Sequence, residues 1–494
     1  MAWTNKRQRT ATDGSSAGSA GSAGSAGAPH TSDSSRLGSG LQVRHLTMMG
    51  LGSAIGAGLF LGTGVGIQVA GPSVLLAYIV AGLLVIGAMQ MLGEMGAARP
   101  ASGSFSVYAE MAFGRWAGFY LGWLYWFMLI MVLGAEMTGA SAIMASWFGV
   151  DPWIPALVCV VFFAVVNLMQ VKGFGEFEFW FAFIKVAVIG IFLFIGVLLI
   201  FGLLPGTEYI GAQHIRESGF LPNGLPGLAA GLLAVAFAFG GIEIVTIAAA
   251  ESADPVRSIS LAVRSTIWRI SVFYLGSVLV ICFLLPFGDI AGADTAAESP
   301  FTRILAMANI PGVVGIMEVV IVLALLSAFN AQIYASSRLA YSLATRDDAP
   351  AILGVTNRHD VPMNSVILSM IFAFVSVGLQ FWNPPGLLEF LLNAVGGILI
   401  VVWGTIALSW IKLHPQFKAS GELTEVHMPG HPYTGWATFG ILVVIVILML
   451  FDAGARQQLF ALCVMSALIL FIAFITGRWS RDSEPRYRKR RRQA

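Results

Sequence analysis

Residues 46–66 read LTMMGLGSAIGAGLFLGTGVG, an apolar stretch long enough to cross a bilayer yet crowded with glycine at positions 50, 52, 56, 58, 62, 64 and 66. A membrane helix satisfies its own backbone hydrogen bonds. Flexible residues at mid-depth are therefore tolerated where the freed amides and carbonyls line a cavity. A second stretch, residues 225–250, repeats the pattern: Phe237, Ala238, Phe239, Gly240 and Gly241 precede the carboxylate of Glu243. Such a pair of interrupted spans marks a transporter binding site. Spacing such as Gly52 to Gly56 also suits close helix packing, which explains one interrupted span more readily than two.

Of the 494 residues, 57% are hydrophobic and 11% charged, against about a quarter charged in ordinary soluble domains. The chain reads as an all-α polytopic membrane protein. Twelve apolar runs meet the length for a crossing: 46–66, 73–96, 117–146, 153–171, 179–203, 226–249, 270–286, 313–340, 363–382, 387–412, 435–452 and 457–476. With both termini cytoplasmic, all of the 28 Lys and Arg except Arg216, Arg303, Arg456 and the intramembrane Lys185 fall on the inner side. Residues 1–40 repeat Ser, Ala and Gly and read as a disordered cytoplasmic tail, followed by a transmembrane domain over 41–477. The tail 478–494 is basic; it reinforces the inside assignment and suits anionic lipid. No signal peptide is expected, because no apolar run follows the early charges.

Cys159, Cys282 and Cys463 lie in expected helices, so no disulfide is expected. The histidines, including His414, His427 and His431, are expected in tails and loops without metal-ligand spacing. No cofactor, metal or nucleic-acid partner is expected, and no catalytic carboxylate pair, phosphate-cradling loop or nucleophile elbow was found. The chain is read as no enzyme.

In the first interrupted span Ser53, Ala54, Ile55, Gly56, Ala57 and Gly58 offer consecutive amides. The half-helix that starts there presents free N–H groups and a partial positive charge suited to a carboxylate. In the sixth span, carbonyls released at Ala236 to Gly240 suit an amine; together the breaks describe a zwitterion site. Lys185, an ammonium inside the fifth span, is a functional candidate by default, with snorkelling as the plainer alternative. Ser327, Asn330, Tyr334 and Ser337 form a polar stripe on the eighth span, expected to face the first and fifth. Asn330 is placed to receive Lys185 or a nearby backbone group, and Tyr334 is assigned to substrate; interhelical bonding is the alternative. Glu136 is assigned to the substrate amine or the outer vestibule, and Glu243 to holding the break or relaying a proton; a structural role is equally open for both. Phe239 serves either as a gate or in packing. Glu94, Glu110 and Glu251 are expected to reach water and carry no chemistry.

The strings Arg44–Leu46 (RHL) and Gly52–Phe60 (GSAIGAGLF) resemble the start of bacterial amino acid permeases of the amino acid–polyamine–organocation superfamily. Further matching strings are Ala70–Pro72 (AGP), Gly93–Met95 (GEM), Gly103–Ser106 (GSFS), Gly122–Trp126 (GWLYW), Gly175–Trp180 (GEFEFW) and Phe237–Glu243 (FAFGGIE). The resemblance implies a LeuT-like fold of twelve helices with broken helices 1 and 6. Spans 1–5 (46–203) and 6–10 (226–412) form inverted repeats, and helices 11 and 12 (435–476) are appended. It also implies proton-coupled amino acid uptake at the plasma membrane, with Lys185 where sodium-driven relatives hold a coupling ion. Ala57 stands where most family members carry Thr, and it is similar to 4-aminobutyrate permeases in this, as are residues 121–126, 244–252 and 267–271.

The expected substrate is thus 4-aminobutyrate or a related zwitterion; the alternatives are asparagine, proline, alanine or serine, an aromatic amino acid, or exchange instead of symport. A channel or receptor is the competing class, and the two divergent halves argue against it because alternating access needs them. No G-x-x-x-x-G-K-[ST] string supports nucleotide-driven transport.

Overall fold

The computed structural model describes residues 55–101, 104–169, 174–240, 257, 260–261, 267–290, 299–357, 361–424, 426–451 and 453–478. All regular structure among them is helical. A π-helical turn, Gly58–Gly62, runs into α1 (Thr63–Ala70); then follow α2 (Val74–Ala98), α3 (Ser104–Phe113), α4 (Arg115–Phe148), α5 (Trp153–Met169) and α6 (Phe174–Ile200). The second half comprises α7 (Gln213–Ser218), α8 (Gly224–Ala238), a π turn Arg269–Leu275 leading into α9 (Gly276–Leu284), α10 (Pro300–Met307) and α11 (Val313–Thr345). It ends with α12 (Met363–Trp382), α13 (Leu387–Ala419), α14 (Tyr433–Met449) and α15 (Ala453–Ile475).

Among the described residues, seven continuous stretches are long and apolar enough to cross a membrane, and four shorter apolar helices, Trp153–Leu168, Gly224–Ala238, Ile270–Leu284 and Tyr433–Met449, join them. The first of the seven, Gly58–Ala98, is divided at Gly71, whose φ of +63° leaves the helical region. A Cβ at Gly71 would meet Pro222 Cγ at 2.4 Å, so both conformation and space require glycine there. Residues 46–54 of span 1 and 241–249 of span 6, and with them Ser53, Ala54 and Glu243, lie outside the described residues.

The helices are apolar all round rather than striped, and large side chains such as Leu83, Phe162, Phe194 and Phe471 stand exposed on the outer surface. In water such a surface would drive association; in a bilayer it faces acyl chains. The core is built around α4, the most enclosed of the long spans, which packs along α11, while α15 lies at the periphery. Small residues bring neighbouring backbones together. The closest such approach is between α13 and α8, where a Cβ on Gly396 would meet the Leu233 carbonyl oxygen at 2.4 Å.

One end of the bundle gathers Arg99, Arg115, Arg346, Lys412, Lys418 and Arg478 and is called the basic end below. Asp348, after α11, is buried there between Arg115 and Arg478, each 3.3 Å from its Oδ1. Arg99 binds Glu422 in a fork at 2.5 and 3.0 Å. Arg346 reaches Glu110 at 3.5 Å and Ser106 at 3.0 Å. Burial pushes the Glu110 carboxyl above its ordinary range, and the Arg346 guanidinium draws it back.

Two expectations are corrected here. Glu94 does not reach water: it is 1% exposed, with Oε1 2.6 Å from His414 Nδ1 and Oε2 accepting the Met428 N–H at 2.8 Å. His414 lies within α13 rather than a loop, because that helix continues two turns beyond its apolar run.

Gly396→Ala is expected to cost about 1–3 kcal/mol through backbone overpacking. Gly404→Ala, whose Cβ would meet ordinary contacts at 3.7 Å or more, serves as the control. Thermal unfolding of detergent-solubilised protein, followed by size-exclusion fluorescence, checks the pair.

Candidate functional site

The described chain enters span 1 at Ile55 in a non-helical conformation, bends at Gly56 and winds into the π turn. The Gly56 carbonyl accepts from Leu59 N at 3.2 Å and from Phe60 N at 3.1 Å. The Ala57 N–H, at the head of this turn, donates instead to Glu136 Oε2 of α4 at 2.9 Å. A carboxylate thus sits where the half-helix presents its partial positive charge. Glu136 is buried, and Lys185 of α6, 1% exposed, acts on it electrostatically. An acid and a base in the span interior therefore balance each other beside the break, which lowers the cost of holding either charge in hydrocarbon.

Glycine is required at this contact. A Cβ on Gly56 would lie 2.4 Å from Glu136 Oε1, and one on Gly58 would lie 2.5 Å from the Ala238 Cα. The first places the carboxylate against the backbone of span 1. The second brings the backbones of spans 1 and 6 into direct contact, so the two interruptions meet in space.

At the second break α8 ends at Ala238, and the chain tightens: Phe239 N donates to the Ala236 carbonyl at 3.1 Å and Gly240 N to the Phe237 carbonyl at 2.8 Å. The Ala236 and Phe237 carbonyls are thus engaged rather than released as the sequence reading had them. Phe239 is fully buried, edge-on to Tyr78 at 5.8 Å and tilted on Tyr274 at 5.0 Å, with Tyr78 hydrogen-bonded to Thr63 at 2.8 Å. Of the two roles open to Phe239, the ring occupies the packing one. Phe237 instead turns toward Gly58, its Cδ1 3.1 Å from a Cβ there.

The polar stripe of α11 divides. Asn330, expected near Lys185, accepts a hydrogen bond from Asn167 of α5 at 2.9 Å. Tyr334 carries the Arg338 guanidinium 5.2 Å from its ring centroid, and the Ser337 hydroxyl donates to the Tyr334 carbonyl at 2.9 Å. Asn330 therefore binds the fourth span.

Two groups of residues adjoin the site without having been picked out in the sequence. Val395 and Leu399 of α13 face the second break, 3.7 and 3.3 Å from a Cβ on Gly240. On the side away from the basic end, Ser299 caps α10 and its hydroxyl donates to the Phe60 carbonyl in the π turn at 2.7 Å. Phe301 then meets Phe60 edge-on at 5.1 Å and lies tilted on Phe192 at 4.6 Å, closing the turn from that side. Pro300 after a Ser was a legible helix start; the partner of Ser299 was not, because it lies 239 residues away.

The sequence matches the family described as amino acid permease over residues 45–486. The chain belongs to the amino acid permease family. It is a multi-pass membrane transporter and no enzyme. This permease is 68% identical over 441 residues to "Aromatic amino acid transport protein AroP" of Corynebacterium glutamicum, covering 89% of this chain and 95% of that one. It is 40% identical over 445 residues to "Probable GABA permease" of Pseudomonas aeruginosa (90% and 93% covered) and 39% over 453 residues to "Gamma-aminobutyric acid permease" of Escherichia coli (91% and 97%).

These identities favour the aromatic alternative over the 4-aminobutyrate reading. In the first of the strings that suggested the latter, Leu121, Leu124 and Tyr125 are fully buried in helix packing, and residues 244–252 lie outside the described residues.

Gly58→Ala is expected to reduce uptake by about tenfold or more, because the added methyl meets backbone that cannot rotate away. Gly62→Ala, with contacts at 3.7 Å, should transport normally. Labelled-substrate uptake, scaled to the amount of folded protein in the membrane, separates the two.

Proposed function

We propose that this permease imports an aromatic amino acid by proton symport across the plasma membrane, with alternating access and the basic end in the cytoplasm. The observation that carries the substrate class is the 68% identity to a relative named for aromatic amino acid transport, against 40% for one named as a probable GABA permease. The walls at the breaks agree with an apolar side chain: Phe237, Val395 and Leu399 flank Gly58 and Gly240. The proposed site comprises the backbone of residues 53–58 and 237–240, with Tyr334 as a further contact. The twelve-helix LeuT-like arrangement with inverted repeats is part of the same reading.

The coupling follows from the bond between Glu136 and Ala57. While Glu136 is ionised it holds the amide that a substrate carboxylate needs, and a second carboxylate there would be repelled. Protonation removes that charge and weakens the bond, so proton and substrate bind together. Loss of the proton at the cytoplasmic side restores the carboxylate to Ala57 and expels the substrate. Lys185 compensates whichever carboxylate occupies the site, and Glu243, beyond the second break, is a further relay candidate. Asn330 fixes the α11 face through Asn167.

The test is uptake of labelled phenylalanine into proteoliposomes. Unlabelled phenylalanine, tyrosine or tryptophan should compete at concentrations about tenfold or more below those needed for 4-aminobutyrate. The reverse order would overturn the substrate class and leave the transporter assignment intact.

Glu136→Gln and Lys185→Met should each abolish accumulation driven by a pH gradient. Glu136→Gln is expected to retain substrate exchange, since its neutral amide mimics the protonated acid. Wild-type accumulation by either variant across a series of imposed gradients would reject this coupling scheme.

A further inference from the structure

The basic end carries a second cluster of titratable groups that the transport reading does not use. His414 of α13 and His431 of the α13–α14 connection stack face to face, with ring centroids 4.2 Å apart and planes 15° apart. Trp410 packs against both, 5.3 Å from His414 and 4.9 Å from His431. His414 Nδ1 meets Glu94 Oε1 at 2.6 Å, and His431 Nε2 meets the Ile411 carbonyl oxygen at 3.0 Å. A carbonyl only accepts, so His431 carries its hydrogen on Nε2 and, when neutral, leaves Nδ1 bare. The other Glu94 oxygen accepts the Met428 N–H. One buried carboxylate and two imidazoles thus join α2, α13 and the connection.

We propose that this cluster is a proton-sensitive clasp. The stack accommodates one imidazolium, at His414 against Glu94. A second proton, on His431 Nδ1, sets two like charges face to face, parts the rings and frees the connection from α2. Histidine is the side chain whose charge changes in the physiological range, and one carboxylate balances one cation.

Among the described residues, the neighbouring charges make contacts elsewhere. Arg99, just after α2, holds Glu422 through both oxygens and lies over Phe417 at 5.0 Å. Tyr108 of α3 donates to the Arg99 carbonyl, and Glu110 of α3 faces Arg346. Lys412 of α13 points at the Phe113 ring. Lys418, His427 and Tyr433 are the other titratable groups of the flanking segments, and Glu425 lies outside the described residues.

The consequence reaches the site because α2 and α13 both pack on α8, and α13 presents Val395 and Leu399 to the second break. A closed clasp ties together the basic ends of two helices that flank that break. Acid on this side opens the clasp, and neutral pH holds it shut.

The test is maleimide labelling of Met428→Cys in a Cys463→Ser background, with rates normalised to a free cysteine peptide at each pH. It requires no substrate, so its outcome is independent of the transport reading. Labelling should rise about tenfold as pH falls from about 8 to 5. His431→Gln keeps a donor for the Ile411 carbonyl but cannot take the second proton, so its profile should be flat. His414→Gln leaves His431 without a like charge opposite and should be flat as well, so either variant decides the matter if the other does not fold. An unchanged acid rise in these variants, or no rise with both histidines present, overturns the proposal.

Discussion

The hydrogen bond from the Ala57 N–H to Glu136 is the contact on which the centre of this protein depends. A helix start leaves amides without intrahelical partners, and in hydrocarbon an unmet amide costs several kcal/mol. A lone carboxylate in the same medium is costlier still. Joining them meets both needs at one point, with Lys185 balancing the charge that remains.

The packing around this contact is arranged so that spans 1, 3 and 6 are read together. Gly56 admits the carboxylate of span 3, and Gly58 admits the backbone of span 6. On one side Ser299 and Phe301 of α10 seal the π turn through the Phe60 carbonyl and ring. On the other, the basic end is bound by fixed charges, Arg115 and Arg478 on Asp348 and Arg99 on Glu422. The two sides differ in kind. The α10 side is closed by one hydroxyl bond and three aromatic rings, whereas the basic end is tied by ion pairs.

Much of this was legible beforehand. The twelfth-to-fourteenth helices as described begin at the residues where apolar runs start, Met363 and Leu387, or within two residues of them, as at Tyr433. Glu136, Lys185 and the glycines stand out in the sequence, because charge and glycine at membrane depth are conspicuous against an apolar background. Asn330 went to a different neighbour, since a helical period defines a face but not the helix that it meets. Glu94 was passed over because nearness to a helix end was taken for access to water, and the returning α13–α14 connection covers it. The 4-aminobutyrate reading rests on a few short strings, and the 68% identity to a relative named for aromatic amino acid transport favours the aromatic alternative.

Composition, hydropathy and glycine spacing determined by themselves that the chain is a helical membrane protein interrupted in two corresponding spans. Those properties are local: hydrogen bonding along a helix and transfer of each side chain into hydrocarbon depend on neighbours a few residues away. The tertiary structure alone decided that Glu136 caps Ala57 across 79 residues, that Ser299 reaches Phe60 across 239, and that His414 and His431 stack over Glu94. Partners so distant in the chain are chosen by the way whole helices pack, where the shape of every contact counts and no period along the sequence records the result.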